Sequence, residues 1–308
     1  MALPPRVTVC EVGLRDGLQN EKGDFTTDDK LELVQALLAA GLTEIELASF
    51  VHPRLVPQMA DAEAVLGRSP RPAGVRRRVL VPNLRGTERA LACDLDELCY
   101  SVVTTETYNQ KNWGASIAEL LEQIRLSVAR VRQDPRPLRL MGNIAASFGC
   151  PYEGDVPVEQ VLRLTRAYVE MGFDGVQIAD STGMANPEQM KRVLTTLRAQ
   201  FPDLAITLHL HNTRGLGLAN AYAALELGFD RFDASIGGLG GCPFAPKATG
   251  NICTEDFVHM LHEMEIETGI DLDRLLAAAP VAERIVGHPL PGLVHRAGKR
   301  SDIAGRYS

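Results

Sequence analysis

Two histidines two residues apart, His209 and His211 in "LHLHNTRGLG" (208–217), are spaced to hold a metal. On a β-strand, residues i and i+2 project from the same face, so both imidazoles converge on one point if that face looks into a cavity. Imidazole suits several transition metals, and oxygen ligands from Asp16 and Asn251 would harden such a site towards Mg²⁺ or Mn²⁺. A lone buried histidine is most often structural; a same-face pair with a carboxylate opposite reads as a clamp. Arg15 and Asp16 follow the apolar run "VTVCEVG" and pair a fixed cation with an acid. The stretch "GGLGGCP" (237–243) carries a single thiol, Cys242, among four glycines. A backbone that glycine-rich can bring a thiol to a substrate and withdraw it, and cationic neighbours would tune that thiol as proton donor or nucleophile.

These residues need a frame. Eight β-branched runs, at 6–13, 44–49, 77–83, 97–103, 138–147, 175–180, 205–211 and 231–236, read as strands. Helical patterns lie between them at 27–41, 86–95, 116–133, 157–172, 186–201 and 217–228, and two more follow at 254–269 and 271–287. Repeated β–α units joined by short loops make a parallel sheet, and eight of them predict a closed (β/α)₈ TIM barrel with extra C-terminal helices. A Rossmann sheet is disfavoured because no G-x-G-x-x-G follows the first strand. The expected organisation is a single catalytic domain over 1–308, with the barrel core at about 1–253 and helices and tail at about 254–308.

In such a barrel, chemistry sits at the C-terminal ends of the strands. Strand 1 ends there in Glu11, Arg15, Asp16 and Gln19, strand 2 in Glu46 and Ser49, strand 6 in Asp180 and Thr182, and strand 7 in the two histidines. Glu255 follows the glycine stretch after strand 8.

Composition narrows the class. Hydrophobic residues make up 45% and charged residues 23%, as in a globular protein with a buried core. The net charge is −7 with no basic run, which argues against nucleic-acid binding. No window approaches the ~20 apolar residues of a membrane span, and the opening "MALPPRVTVCEVG" lacks a signal-peptide core, so a soluble cytoplasmic enzyme is expected. Six scattered cysteines without a C-x-x-C pair read as reduced thiols.

Taken together, "EVGLRDGLQNEKG" (11–23), "ELASFVHPRLVPQM" (46–59), "PNLRG" (82–86), "FGCPYEG" (148–154), "HLHNTRGLGLAN" (209–220) and "GGLGGCPFAPKATGNICTEDFVHML" (237–261) resemble the 3-hydroxy-3-methylglutaryl-CoA lyase family. The resemblance spans nearly the whole chain, and the cysteine-bearing glycine loop marks the lyase branch rather than the condensing synthases and aldolases that share the H-x-H strand. It implies a divalent cation on Asp16, His209, His211 and Asn251, and no redox cofactor. Arg15, Cys242, Asp180 and Glu46 would be catalytic, with Glu255 and Gln19 in support. The implied reaction is retro-Claisen cleavage of an acyl-CoA that releases acetyl-CoA. Asp180 would be the base, Arg15 would stabilise the enolate, and Cys242 would protonate it.

The sequence departs from the family pattern where the resemblance implies substrate contact. The fifth strand commonly carries an Arg and an aromatic residue where Met141 and Asn143 stand, and Gln177 replaces a common Ser; Gly287 stands where a late Asn is expected. With Ser49 and Lys22, these three strand residues are the expected substrate-binding set. The departures leave open 3-hydroxy-3-methylglutaryl-CoA, (R)-citramalyl-CoA, whose carboxylate arm is shorter by one CH₂, and a longer 3-hydroxyglutaryl-CoA. A homodimer through the C-terminal helices is also expected.

Overall fold

A computed structural model describes residues 3–241 and 250–303. Eight strands run parallel and close into a barrel in sequence order: β1 (Thr8–Glu11), β2 (Glu44–Ser49), β3 (Arg76–Leu80), β4 (Glu97–Val103), β5 (Arg139–Ala145), β6 (Gly175–Asp180), β7 (Ala205–Leu210) and β8 (Arg231–Ala234). Thr8–Glu11 pairs with Arg231–Ala234 to complete the circle. The expected (β/α)₈ TIM barrel is therefore the fold.

Outside it lie α1 (Thr27–Ala39), α2 (Ala62–Arg68), α3 (Leu84–Leu91), α4 (Glu106–Trp113), α5 (Ile117–Val131), α6 (Val158–Glu170), α7 (Pro187–Gln200) and α8 (Gly217–Leu225). After β8 come α9 (Thr254–Glu263), α10 (Leu272–Val286) and the short α11 (Val294–Ala297) and α12 (Arg300–Ile303). Helix starts follow local chemistry. Thr26 caps α1 and exchanges hydrogen bonds with Asp29, and Ser116 does the same with Glu119 at α5. Besides the four-residue α11 and α12, two helices escaped the sequence reading: α2 is only seven residues long and α4 is almost wholly polar. Neither gives an apolar period long enough to detect. The pattern read as 254–269 ends instead at Glu263, and Glu265 takes a left-handed φ of 58°.

The main apolar core fills the layer between strands and helices, and α10 packs on α1 to extend it. Inside the barrel only a small apolar cluster forms, from Leu80, Cys99 and Met141. The rest of the lumen is polar and buried: Glu46, Arg78, Gln177, His209 and Asp233. That distribution is the first sign that the barrel interior serves chemistry as well as packing.

Candidate active site and metal centre

β1 passes into a single wide turn, Gly13–Gly17, that orients the adjacent Arg15 and Asp16. The amides of Arg15, Asp16 and Gly17 all donate to the Val12 carbonyl, at 3.1, 2.8 and 3.3 Å. Glu11 anchors the turn from below: its Oε1 accepts from the amides of Gly13 (2.8 Å) and Ile236 (2.9 Å), and its Oε2 meets the Thr254 hydroxyl at 2.7 Å. Burial pushes the Glu11 carboxyl up to about 8. One buried side chain thus ties together β1, the end of β8 and the start of α9.

From this turn the two charged side chains part. The Arg15 guanidinium, 6% exposed, donates through Nε to Glu46 Oε2 at 2.8 Å, and its Nη1 reaches Asp16 Oδ1 at 2.6 Å. Asp16 turns its other oxygen to the end of β7, 3.7 Å from His209 Nε2 and 3.9 Å from His211 Nε2. The two imidazole Nε2 atoms are 3.1 Å apart. Candidate ligand atoms of Asp16, His209 and His211 all lie within 4.8 Å of one another, the geometry of a site for one cation.

Asn251 joins this cluster because residues 250–253 lie between the ends of β7 and β8, bridging His211 to Asn251 and Ser235 to Cys253. Glycine is required beside it: a Cβ on Gly250 would fall 2.2 Å from the Gly238 carbonyl oxygen. The Asn251 amide donates to Asp16 Oδ2 at 2.8 Å and to the Leu239 carbonyl at 3.0 Å, which leaves its Oδ1 buried without a partner. His209 donates from Nδ1 to Asp233 Oδ2 (3.1 Å), and this tautomer presents the Nε2 lone pair to the cluster.

Electrostatics agree with a cation site. Arg15, Asp16, Glu46, Arg78 and Asp233 form one ion-paired set in which two guanidinium groups face three carboxylates. Burial raises the Asp16 carboxyl, but Arg15 and the two histidines outweigh it and hold the group well below the usual carboxylate range. Burial and neighbouring His209 push His211 down to about 4, so it is neutral and able to ligate at physiological pH. An excess negative charge, two lone-pair nitrogens and an unpartnered amide oxygen fit a hard divalent ion.

The cluster forms one wall of a cavity of about 670 Å³ at the C-terminal end of the barrel. Ser101, Asn143 and Gln177 occupy one register row across β4, β5 and β6, and all three line it.

A family model described as HMGL-like matches residues 6–281. The chain belongs to the HMGL-like family. It is 45% identical over 293 residues to the hydroxymethylglutaryl-CoA lyase YngG of Bacillus subtilis (strain 168), covering 94% of this chain and 97% of that one. It is 41% identical over 302 residues to the (R)-citramalyl-CoA lyase of Chloroflexus aurantiacus, covering 95% of each. Among solved structures, an HMG-CoA lyase from Acenitobacter baumannii in complex with coenzyme A and 3-methylmalate superposes with a TM-score of 0.93 at 39% identity, over 98% of both chains.

Within this HMGL-like barrel, the residues expected at the site separate into groups. Arg15, Asp16, Gln19, Asn143, Gln177, His209 and His211 line the cavity, and Glu46 and Asn251 contact Arg15 and Asp16 directly. Glu255 lies beneath the glycine stretch, where its carboxylate accepts from the Gly237 amide at 2.8 Å and from Cys253 Sγ at 3.0 Å. Gly237 itself sits at φ 63°, a conformation that suits glycine. Cys242 lies outside the described residues; the other five cysteines are free thiols.

Besides Glu46, Asn251 and Glu255, four expected residues are absent from the cavity lining. Strand alternation removes Asp180: Ala179 registers with His209, whereas Asp180 registers with the core residue Leu210 on the opposite face. Its oxygens accept from the amides of Met184 (2.8 Å) and Ala185 (3.2 Å), so it holds the loop after β6, and burial raises its carboxyl to about 6. Asp180 interacts electrostatically with His209, although it is not on the cavity lining. Met141 packs one layer deeper with Leu80 and Cys99. Ser49 is buried, with its hydroxyl 3.3 Å from the Val51 amide, and Lys22 is exposed and absent from the lining.

Sequence reasoning missed Arg78 and Asp233. Arg78 Nη2 lies 2.9 Å from Asp233 Oδ2, and Asp233 holds His209. The signal was present: "RRVLV" and "RFDAS" place a charge inside runs that otherwise read as buried strand.

Proposed function

We propose that this chain is a divalent-metal-dependent carbon–carbon lyase that cleaves 3-hydroxy-3-methylglutaryl-CoA to acetyl-CoA and acetoacetate. The observation that carries this reading is the convergence of Asp16, His209 and His211 beside the fixed guanidinium of Arg15 on one cavity wall. The relative at 45% identity, named a hydroxymethylglutaryl-CoA lyase, supports it. The whole of 1–308 acts as one catalytic unit in this reading. No helix among the described residues is long and apolar enough to cross a membrane.

Asp16, His209, His211 and Asn251 would hold Mg²⁺ or Mn²⁺. When bound, the ion would supply Lewis acidity, lowering the pKa of the substrate's tertiary hydroxyl and orienting it. The chain's own residues account for the rest. The proton leaving the hydroxyl would pass to Asp180, whose buried carboxyl is raised to about 6 and interacts with His209. As the C–C bond breaks, its electrons move into the acetyl thioester and form an enolate. Arg15 cannot lose its proton at this pH, and Glu46 and Asp16 fix its fork, so it stands ready for the developing oxyanion. Cys242 donates the proton that turns the enolate carbon into the methyl group of acetyl-CoA. Substrate and products are at the same overall oxidation level, so the cycle needs no redox cofactor.

One observation favours a second substrate, (R)-citramalyl-CoA, which would give acetyl-CoA and pyruvate. Among the described residues the cavity lining contains no lysine and no arginine besides Arg15, while Ser101, Asn143 and Gln177 form a neutral row opposite. A carboxylate carried out on the CH₂ arm of the methylglutaryl substrate would find no second cation there, whereas citramalyl-CoA bears its carboxylate directly on the carbinol carbon, beside the cluster. Purified protein with Mn²⁺ should release acetyl-CoA from at least one of the two thioesters. Acetoacetate or pyruvate as the co-product tells them apart, and no acetyl-CoA from either defeats the lyase reading.

A further inference from the structure

Beneath the metal cluster, Arg78 crosses the barrel. It stands on β3, where its register partner on β2 is Glu46, and it is 2% exposed. Its Nη2 nevertheless reaches Asp233 on β8 at 2.9 Å, while its Nε stays 3.6 Å from Glu46 Oε1. β3 and β8 are not neighbours, since β2 and β1 stand between them. The side chain therefore spans the lumen rather than pairing along the sheet.

Each carboxylate it touches has a second task. Glu46 accepts from Arg15 Nε at 2.8 Å, and Asp233 Oδ2 accepts from His209 Nδ1 at 3.1 Å. Gln177 Nε2 also donates to Asp233 Oδ2, and its own Oε1 accepts from Cys99 Sγ at 3.7 Å. We infer that Arg78 is a positioning residue that locks His209 of the metal cluster to Arg15 of the enolate side through Asp233 and Glu46. The inference rests on the metal-dependent lyase reading for the meaning of the two ends, and the geometry between them stands by itself.

The guanidinium does something a generic core residue would not. Buried ion pairs are weak stabilisers, and well-packed apolar groups often replace them without loss. A planar guanidinium, by contrast, is ion-paired to Asp233 at 2.9 Å and faces Glu46 at 3.6 Å, holding a delocalised charge in a fixed plane between the two carboxylates, which an ammonium on a flexible stem does not. Asp233 orientation sets the His209 tautomer and ring angle; Glu46 orientation sets the Arg15 fork. If Arg78 only balances charge, any arrangement that restores neutrality serves equally well. If it positions, the geometry is lost even when charge is balanced.

The test uses the full chain and a readout independent of substrate: Mn²⁺ affinity, from the free-ion signal in electron paramagnetic resonance. Three variants are compared with wild type: Arg78→Lys, which keeps the charge; Arg78→Met; and Arg78→Met/Glu46→Gln, in which the lost charges cancel. Outer partners of metal ligands typically contribute about 10–100-fold in affinity, and a loss of that size is expected in all three. Turnover at saturating Mn²⁺ should also stay at least about tenfold below wild type in Arg78→Lys, because the Arg15 branch is disturbed too. Wild-type Mn²⁺ affinity and turnover in folded Arg78→Lys would overturn the inference. So would wild-type Mn²⁺ affinity in the charge-balanced double variant, which serves as the deciding protein should Arg78→Lys fail to fold. A wild-type chain that binds Mn²⁺ yet cleaves neither thioester would defeat the lyase reading and leave the affinity arm of this test intact.

Discussion

Replacing Glu11 by glutamine should remove a pH dependence of stability that the wild type carries. The Glu11 carboxyl is fully buried and burial pushes it up to about 8, against about 4.5 in an exposed chain. Between those values the folded protein holds a proton that the unfolded chain releases. A group whose folded pKa is raised stabilises fully below its unfolded value and loses that contribution as pH rises towards the folded one. At about 1.4 kcal/mol per pH unit, with the slope levelling off near 8, the wild type should lose about 2 kcal/mol from this group between pH 6 and pH 8. Glutamine reproduces the protonated form: its carbonyl can accept from the Gly13 and Ile236 amides, and its NH₂ can donate to the Thr254 hydroxyl. Urea unfolding of both proteins at pH 6, 7 and 8 and constant ionic strength measures the effect. Asp180, also raised to about 6, titrates in the same window in both proteins, so the difference between the curves is the quantity of interest. Glu11→Gln should draw level with or overtake the wild type by pH 8. If the two curves run parallel from pH 6 to 8, Glu11 is ionised in the folded protein and the reasoning fails.

Cys242→Ser should lower turnover while leaving Mn²⁺ affinity nearly unchanged, and His209→Ala should weaken Mn²⁺ binding first. Wild-type turnover in Cys242→Ser would reject the proton-donor role. Gly142→Ala should destabilise by about 1–3 kcal/mol in urea unfolding, an overpacking cost, since the added Cβ would sit 2.5 Å from the Tyr168 ring. Tyr168 donates its hydroxyl to the carbonyls of Tyr100 and Asn143, so a neutral result would show that this brace behind the cavity wall yields easily.

Much of this was legible before any coordinates. Eight runs at β–α spacing gave the barrel, and the i, i+2 histidines gave the cluster, because strand alternation puts both side chains on one face and the carboxylate at Asp16 pointed to the inner one. Asp180 shows where that legibility ends. Its position at a strand end is readable, but its facing depends on register with β7, and the bonds it accepts from the Met184 and Ala185 amides are invisible in a residue list. Met141 and Asn143 illustrate the same limit: both face the lumen, yet a two-residue step moves one into the apolar layer and the other onto the cavity wall. Arg78 and Asp233 were hidden for a different reason. A charge inside a buried strand reads as an anomaly until its partner is known, and that partner lies about 155 residues away on the far side of the lumen.

The wide turn at Gly13–Gly17 and the row Ser101–Asn143–Gln177 lie on different strands, with β1, β2, β3, β7 and β8 carrying the charged cluster and β4, β5 and β6 carrying the neutral row. Three amides on one carbonyl leave the turn no slack, so inserting or deleting a residue there would swing Arg15 or Asp16 out of place. The row meets the cluster at one point, Gln177, which donates to Asp233, whereas Asn143 and Ser101 bond to each other. Ser101 and Asn143 can therefore vary while the charged arc is held constant, and a change at Gln177 is felt at His209 through the shared Asp233.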